Sequence, residues 1–88
     1  MKQSFAKVPT NVMFDVSISL EAKGLYALLL CLQGSMDYCY PKISWMESKT
    51  GYKPTKIKKM LKELIIKGLI QRSKDHQNRT VTQVAKLI

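Results

Sequence analysis

The sequence predicts a mainly helical α+β fold, a core of three helices closed by a C-terminal β-hairpin. Three observations predict it. Apolar residues recur at helical spacing around Leu25–Leu32 and Ile57–Leu64, with the pair Ile43 and Met46 between them. Helix-breaking and helix-starting residues punctuate these segments: Gly34, Gly51 and Pro54 fall at the junctions, and Gly68 follows the last. Beyond Gly68 the pattern changes to two short stretches flanking a DHQN turn, the second rich in Val and Thr.

Taken in order, Phe5–Val8 alternates apolar and polar residues as a short strand would, and Pro9 ends it. Thr10–Phe14 reads as one helical turn or a loop. The first long helix starts near Ser19 and runs to about Gln33. Ser17 and Ser19 both suit an N-cap, and Glu21 lies in the first turn, where the helix dipole favours an anion. Leu25, Leu28, Leu29 and Leu32 share one face of it. Ala27, Leu30 and Cys31 lie off that stripe, so the C-terminal half is apolar nearly all round, as in a central buried helix or one that also makes a subunit contact. Gly34–Asp37 is a loop, and Tyr38–Tyr40 is a very short strand before Pro41. The second helix covers roughly Lys42 to Thr50, with Ile43 and Met46 inward. Ser44-x-x-Glu47 matches a capping box, which would start its regular part late. The third helix begins at Pro54 and stops at Gly68. Ile57, Leu61 and Leu64 form its inward stripe, flanked by Met60 and Ile65. Thr55, Lys59, Lys62 and Ile66 lie opposite, with Lys56 and Lys58 to either side. Leu69–Lys74 is a strand, Asp75–Asn78 a turn, and Arg79–Lys86 the returning strand.

The 88 residues suit a single domain spanning residues 1–88. At 45% hydrophobic and 24% charged, the composition is that of a folded protein with a modest core. Met1–Phe14 has no continuous apolar stretch of signal-peptide length, and the longest apolar run, Leu25–Leu32, falls far short of the roughly 20 residues that span a bilayer. No membrane partner is expected. Cys31 and Cys39 form no CxxC and are expected to be buried free thiols in a reducing cytoplasm. Two cysteines and one histidine at unrelated spacing do not make a zinc site. The six acids are scattered, and there is no Ser/His/Asp set and no glycine-rich phosphate loop. The expectation is therefore a binding protein, not an enzyme, with no cofactor and no small-molecule substrate.

Charge says what it binds. Lys49 to Lys74 contains nine basic residues and a single acid, Glu63, so this stretch holds +8 of the net charge of +9. A solvated helix usually mixes signs. A block of one sign repels itself and calls for a polyanion, and the apolar stripe running through it marks a folded segment instead of a disordered tail. The second and third helices, joined by a tight glycine turn, have helix-turn-helix spacing, and the hairpin that follows makes this a winged helix. A helix fits the major groove of B-DNA, so double-stranded DNA is the expected partner.

The candidate residues follow from that placement. On the third helix they are Lys53, Thr55, Lys56, Lys58, Lys59 and Lys62. Lys56 and Lys59 suit base edges, and Lys58 and Lys62 suit phosphates. Lys42, Ser44, Lys49 and Tyr52 are candidates on the second helix and the turn. Lys74, His76, Gln77, Asn78 and Arg79 are candidates on the wing, where Arg79 is placed to enter a minor groove. Trp45 and Tyr52 can stack on bases, but the expectation is that they pack between helices. With few arginines for bidentate guanine reading, specificity calls for a homodimer or tandem assembly on DNA.

The run YCYPKISWMESKTGYKPTKIKKMLKELIIKGLI, Tyr38–Ile70, resembles the winged helix-turn-helix of plasmid and phage replication initiators and replisome organisers. The resemblance extends upstream to Val8-Pro9 and to Ile18-Ser19, Ala22-Lys23 and Tyr26, and it includes Tyr40-Pro41 and Leu64 to Gly68-Leu69-Ile70. It implies DNA binding in the replication of a mobile element. Three positions depart from the pattern: Lys42 stands where the family has a capping Ser, Glu47 where it has a small residue, and Thr50 where it has an apolar one. From the first two, the second helix is expected to start late and Glu47 to pair with a lysine of the third helix. Such initiators also have more chain after the wing, so the sequence is either an excised domain or a stand-alone binder. The alternative roles are a small transcription regulator, a conjugation accessory protein, a protein-interaction module using Leu30, Cys31 and Ile66, and, least favoured, a binder of RNA or single strands.

Overall fold

The computed structural model describes residues 7–85. It has four helices and a two-stranded antiparallel hairpin, the winged helix-turn-helix expected: α1 (Thr10–Met13), α2 (Leu20–Gln33), α3 (Ile43–Thr50), α4 (Pro54–Ile66), β1 (Ile70–Lys74) and β2 (Thr80–Val84). The strand read at Phe5–Val8 lies partly outside the described residues, and Lys7 and Val8 precede α1 without strand pairing. Lys86, the end of the predicted returning strand, also lies outside them.

Ser19, not Ser17, caps α2, its hydroxyl accepting from the Ala22 N–H at 3.2 Å. Ser17 instead binds Asp15: both its N–H and its hydroxyl donate to that carboxylate, at 2.9 and 2.7 Å. These bonds hold the Asp15 pKa below its usual value. The buried face of α2 is rotated from the stripe read in the sequence. Ala22, Leu25, Tyr26, Leu29, Leu30 and Gln33 are buried, whereas Leu28 is half-buried and Leu32 is exposed. Leu30 therefore belongs to the core and cannot serve an outside interface. Cys31 is exposed, contrary to the expectation of two buried thiols, while Cys39 is buried and both are free.

α3 begins directly after Lys42, and neither Ser44 nor any other side chain caps it. The capping box thus does not form, and the helix does not start late. The extended Lys42 backbone turns the chain into helix immediately after buried Pro41, which leaves Ser44 and Glu47 inside the helix. Glu47 makes no ion pair among the described residues, so the expected pairing with α4 is absent. Thr50 has a use where an apolar residue was expected. Its hydroxyl donates to the Met46 carbonyl at 2.7 Å and accepts the Tyr52 N–H at 3.1 Å, fastening the turn. Gly51, at φ 76°, supplies the left-handed residue that reverses the chain there. Gly68, at φ 74°, does the same after α4.

Ile57, Met60, Leu61 and Leu64 of α4 face inward onto Leu25, Tyr26, Leu29 and Met46. Ile65, expected to flank this stripe, is 45% exposed, and Ile66, read as outward, is 71% exposed. Trp45 and Tyr52 pack against the core, as expected. The hairpin register pairs Ile70 with Val84, Arg72 with Thr82 and Lys74 with Thr80. Its inner face closes over the helices through Ile70, Thr82 and Val84. The short strand read at Tyr38–Tyr40 is a single bridge: Cys39 and Thr82 exchange two backbone hydrogen bonds, both 2.8 Å.

Two further links tie α2 to the end of β2. The buried Gln33 amide acts like a strand residue, donating to the Val84 carbonyl at 3.2 Å and accepting the Val84 N–H at 2.8 Å. The Tyr26 hydroxyl donates to the Ala85 carbonyl at 2.8 Å. These links fix the wing relative to the helices.

Candidate nucleic-acid interface

α4 is exposed along Thr55, Lys58, Lys59 and Lys62, four of the residues predicted to reach DNA. Pro54 opens the helix, and Lys53 at its N-cap offers no side-chain hydrogen bond, so the first-turn N–H groups stay open to an anion. Lys56 is also exposed but is not free to project. Its ammonium lies 3.2 Å from the Glu21 carboxylate and 4.3 Å from the centre of the Tyr52 ring. The predicted base-reading role of Lys56 therefore meets a competing pair of contacts. Lys56 and Lys58, two residues apart on one helix, fall on opposite flanks.

The flank of α4 that faces α2 carries both signs. A groove there is lined by Lys53, Thr55, Lys56 and Lys59, and also by Glu21 and Glu63. Glu63, the one acid in the basic stretch, is engaged: the Ser19 N–H donates to it at 2.7 Å and the Ser19 hydroxyl at 3.0 Å. It fastens the start of α2 to the middle of α4. One turn on, the Lys67 ammonium donates to the Ser17 hydroxyl at 3.0 Å. The sequence signal for Glu63 was its isolation among nine bases, yet its partner was not readable from spacing.

Ser44 and Lys49 of α3 and Lys42 at its N-cap are exposed, whereas Tyr52 is half-buried beneath Lys56. At the wing, His76, Gln77 and Asn78 are exposed at the tip. Asp75 builds that tip by accepting the N–H groups of Gln77 and Arg79, both at 2.9 Å. Asn78 closes it at φ 62°, a left-handed conformation that asparagine tolerates. The Asp75 pKa is pulled below its ordinary value, chiefly by the backbone bond from Arg79. The Lys74 ammonium donates along the hairpin to the Thr80 hydroxyl at 2.8 Å.

Arg79 does not project from the tip. Its Nε is 3.0 Å from the Asp75 carboxylate, and its guanidinium lies over the Tyr40 ring, 4.5 Å from the centre. The wing arginine is folded back toward α3, so the expected entry into a minor groove meets competing contacts with Asp75 and Tyr40. This brings Arg79 and Lys42 to one pocket with Tyr40, Arg72 and Thr80. Arg72 and Tyr40 were not among the predicted contact residues. Arg72 is half-buried, with Nε donating to the Thr82 hydroxyl at 3.1 Å, and burial lowers its pKa while nearby Cys39 opposes that shift. The sequence signal for the pair was the register of a basic residue on the inner face of the strand opposite an aromatic-Pro before α3.

The family model described as a helix-turn-helix domain matches residues 17–70, more than half of the chain, from the residues before α2 to the first residue of β1. The chain belongs to the helix-turn-helix domain family. In this helix-turn-helix domain α3, the Gly51 turn and α4 form the motif, and the hairpin adds the wing. Membership points to DNA binding. Searches of the curated proteins and of the solved structures gave no match. Among the described residues, no group of His, Cys, Asp and Glu could hold a metal ion, and no helix is long and apolar enough to cross a membrane.

Proposed function

We propose that residues 1–88 act as one non-catalytic module that binds double-stranded DNA in the cytoplasm, with α4 in the major groove and the wing against the adjoining backbone. The observation that carries this reading is the exposure of Thr55, Lys58, Lys59 and Lys62 on the second helix of a helix-turn-helix whose first helix presents Lys42, Ser44 and Lys49. Lys59 and Lys62 are the main groove contacts. Lys53, Lys58, Lys49 and Lys74 neutralise phosphates, with Ser44 beside them, and His76, Gln77 and Asn78 approach the neighbouring groove. Lys56 joins once it leaves Glu21, and Tyr52 supports it from below. The resemblance across Tyr38–Ile70 favours a role in the replication initiation of a plasmid or phage over transcription regulation or conjugation.

The test is fluorescence anisotropy with random-sequence duplex DNA between about 50 and 200 mM salt. Binding with a log–log slope near −4 to −5 is expected from about five phosphate contacts. Changing Lys59 and Lys62 to Glu abolishes it. Retention of full affinity by that variant rejects α4 as the binding helix.

One observation favours an additional protein contact. Val16 and Leu20 are 97% and 79% exposed, and the residues beside them, Ser17 and Ser19, touch Lys67, which follows exposed Ile66 at the end of α4, and Glu63 within α4. Assembly of two copies on DNA would use this apolar edge. Sedimentation with and without duplex DNA distinguishes one bound copy from two.

A further inference from the structure

We propose that the pocket between the base of the wing and the start of α3 is a seat for a single backbone phosphate, and that Arg79 serves there and not as a groove-reading residue. The proposal rests on the DNA-binding reading and names what one part of that surface takes. Tyr40, Lys42, Ile43, Arg72, Arg79 and Thr80 line the pocket. Three of them are cations, and none is an acid.

Both arginines are positioned before any ligand arrives. Arg72 spends its Nε on the Thr82 hydroxyl, a residue with no exposed surface. Arg79 spends its Nε on Asp75, and its plane is set by the Tyr40 ring, which itself packs edge-on against Tyr38 with centres 5.6 Å apart. Each guanidinium keeps its two terminal nitrogens, which form the fork that matches two oxygens of a phosphate. Held side chains lose little entropy on binding.

The third side of the pocket is the start of α3. Lys42 is its N-cap and provides no side-chain cap, so the N–H groups of Ile43 and Ser44 begin a helix with no acceptor supplied by the cap. A helix start, a lysine and two restrained arginines converge on one concavity. That combination selects a compact dianion or monoanion with several oxygens. With Arg79 folded back over Tyr40, the cluster sits at the base of the wing, where a backbone phosphate is the compact anion that duplex DNA offers. On duplex DNA the site fixes the register of the wing relative to α4 without reading sequence.

The test uses the full chain and two readouts. Amide spectra are recorded during titration with inorganic phosphate. Salt-dependent anisotropy is then measured with random-sequence duplex, for the wild type and for the double variant Lys42→Gln, Arg79→Gln. The expected result is phosphate-dependent shifts at Ile43 and Ser44 that vanish in the double variant, together with a salt slope shallower by about one unit, the contribution of one phosphate. Shifts confined to α4, or an unchanged slope in a variant that still binds DNA, overturn the proposal and leave the DNA-binding reading standing. A wild type that shows the shifts but binds no duplex overturns both and marks a site for a free anion. If the double variant fails to fold, Arg72→Lys replaces it. That change keeps the charge and removes the fork, and it is expected to weaken the shifts at Ile43 and Ser44. Unchanged shifts there reject the role of the fork.

Discussion

Replacing Glu63 with Ala should make the protein less stable and bind DNA more tightly. The carboxylate accepts two hydrogen bonds from Ser19, at 2.7 and 3.0 Å, one from the backbone and one from the hydroxyl that caps α2. Hydrogen bonds to charged groups contribute about 1.5–3 kcal/mol each when sheltered. These two are exposed, so about 1 kcal/mol each is the appropriate scale, or roughly 2 kcal/mol together. For a chain of this size, that lowers Tm by about 8–16 °C. The same change takes the net charge from +9 to +10 and removes a carboxylate from the groove that Lys56 and Lys59 line. A nearby surface charge of this kind is worth about 0.5–1 kcal/mol, so affinity at low salt should rise about twofold to fivefold. Circular dichroism melts give the first number and anisotropy the second. Glu63→Gln keeps an acceptor without the charge, and its Tm should fall between the other two. A Tm for Glu63→Ala within about 2 °C of the wild type would refute the view that this carboxylate fastens α2 to α4.

Three other outcomes are expected. Gln33→Ala strands a buried backbone N–H and carbonyl at Val84 and leaves a small void, so it should cost about 2–4 kcal/mol and speed hydrogen exchange at Val84 well beyond that at Leu29. Glu21→Gln releases Lys56 from its 3.2 Å partner, so DNA affinity should rise at low salt and converge with the wild type at high salt, with stability changed by less than about 0.5 kcal/mol. Asp75 has a folded pKa below its ordinary 3.8, so its contribution to the wing is complete above that value and is lost as pH falls through the lower folded one. The side-chain carboxyl carbon shift of Asp75 should therefore hold constant from neutrality to about pH 4 and move only below it.

Most of the fold was legible because its signals are local. The glycines after α2, α3 and α4 and the proline that opens α4 mark the ends of helices by backbone chemistry alone. The inward stripe of α4 follows from spacing, with Met60 joining Ile57, Leu61 and Leu64. For α2 the spacing misled, since leucines occur on nearly every face and the sequence could not say which were covered. Gln33 held the missing clue. It continues the row Leu25, Leu29 at intervals of four, and a polar residue there implied a buried partner. The candidate site was legible as charge and opaque as geometry. Lysine counts cannot show that Lys56 is paired with Glu21, or that Arg79 lies over Tyr40, because each contact depends on how distant segments dock. The failed capping box has a local cause: buried Pro41 and extended Lys42 start α3 before Ser44 can act as its cap.

The last described strand, β2, has a consequence for synthesis. Tyr26 reaches across 59 residues to Ala85 and Gln33 across 51 to Val84, while Cys39 pairs with Thr82. Three early segments thus wait for partners that leave the ribosome after everything between them. A nascent chain halted just before Thr80 already carries the whole lysine block, yet the amide of Gln33 and the backbone of Cys39 have nothing to pair with. Such a fragment holds the charge without the frame that orients it, and closure over these long separations waits for β2.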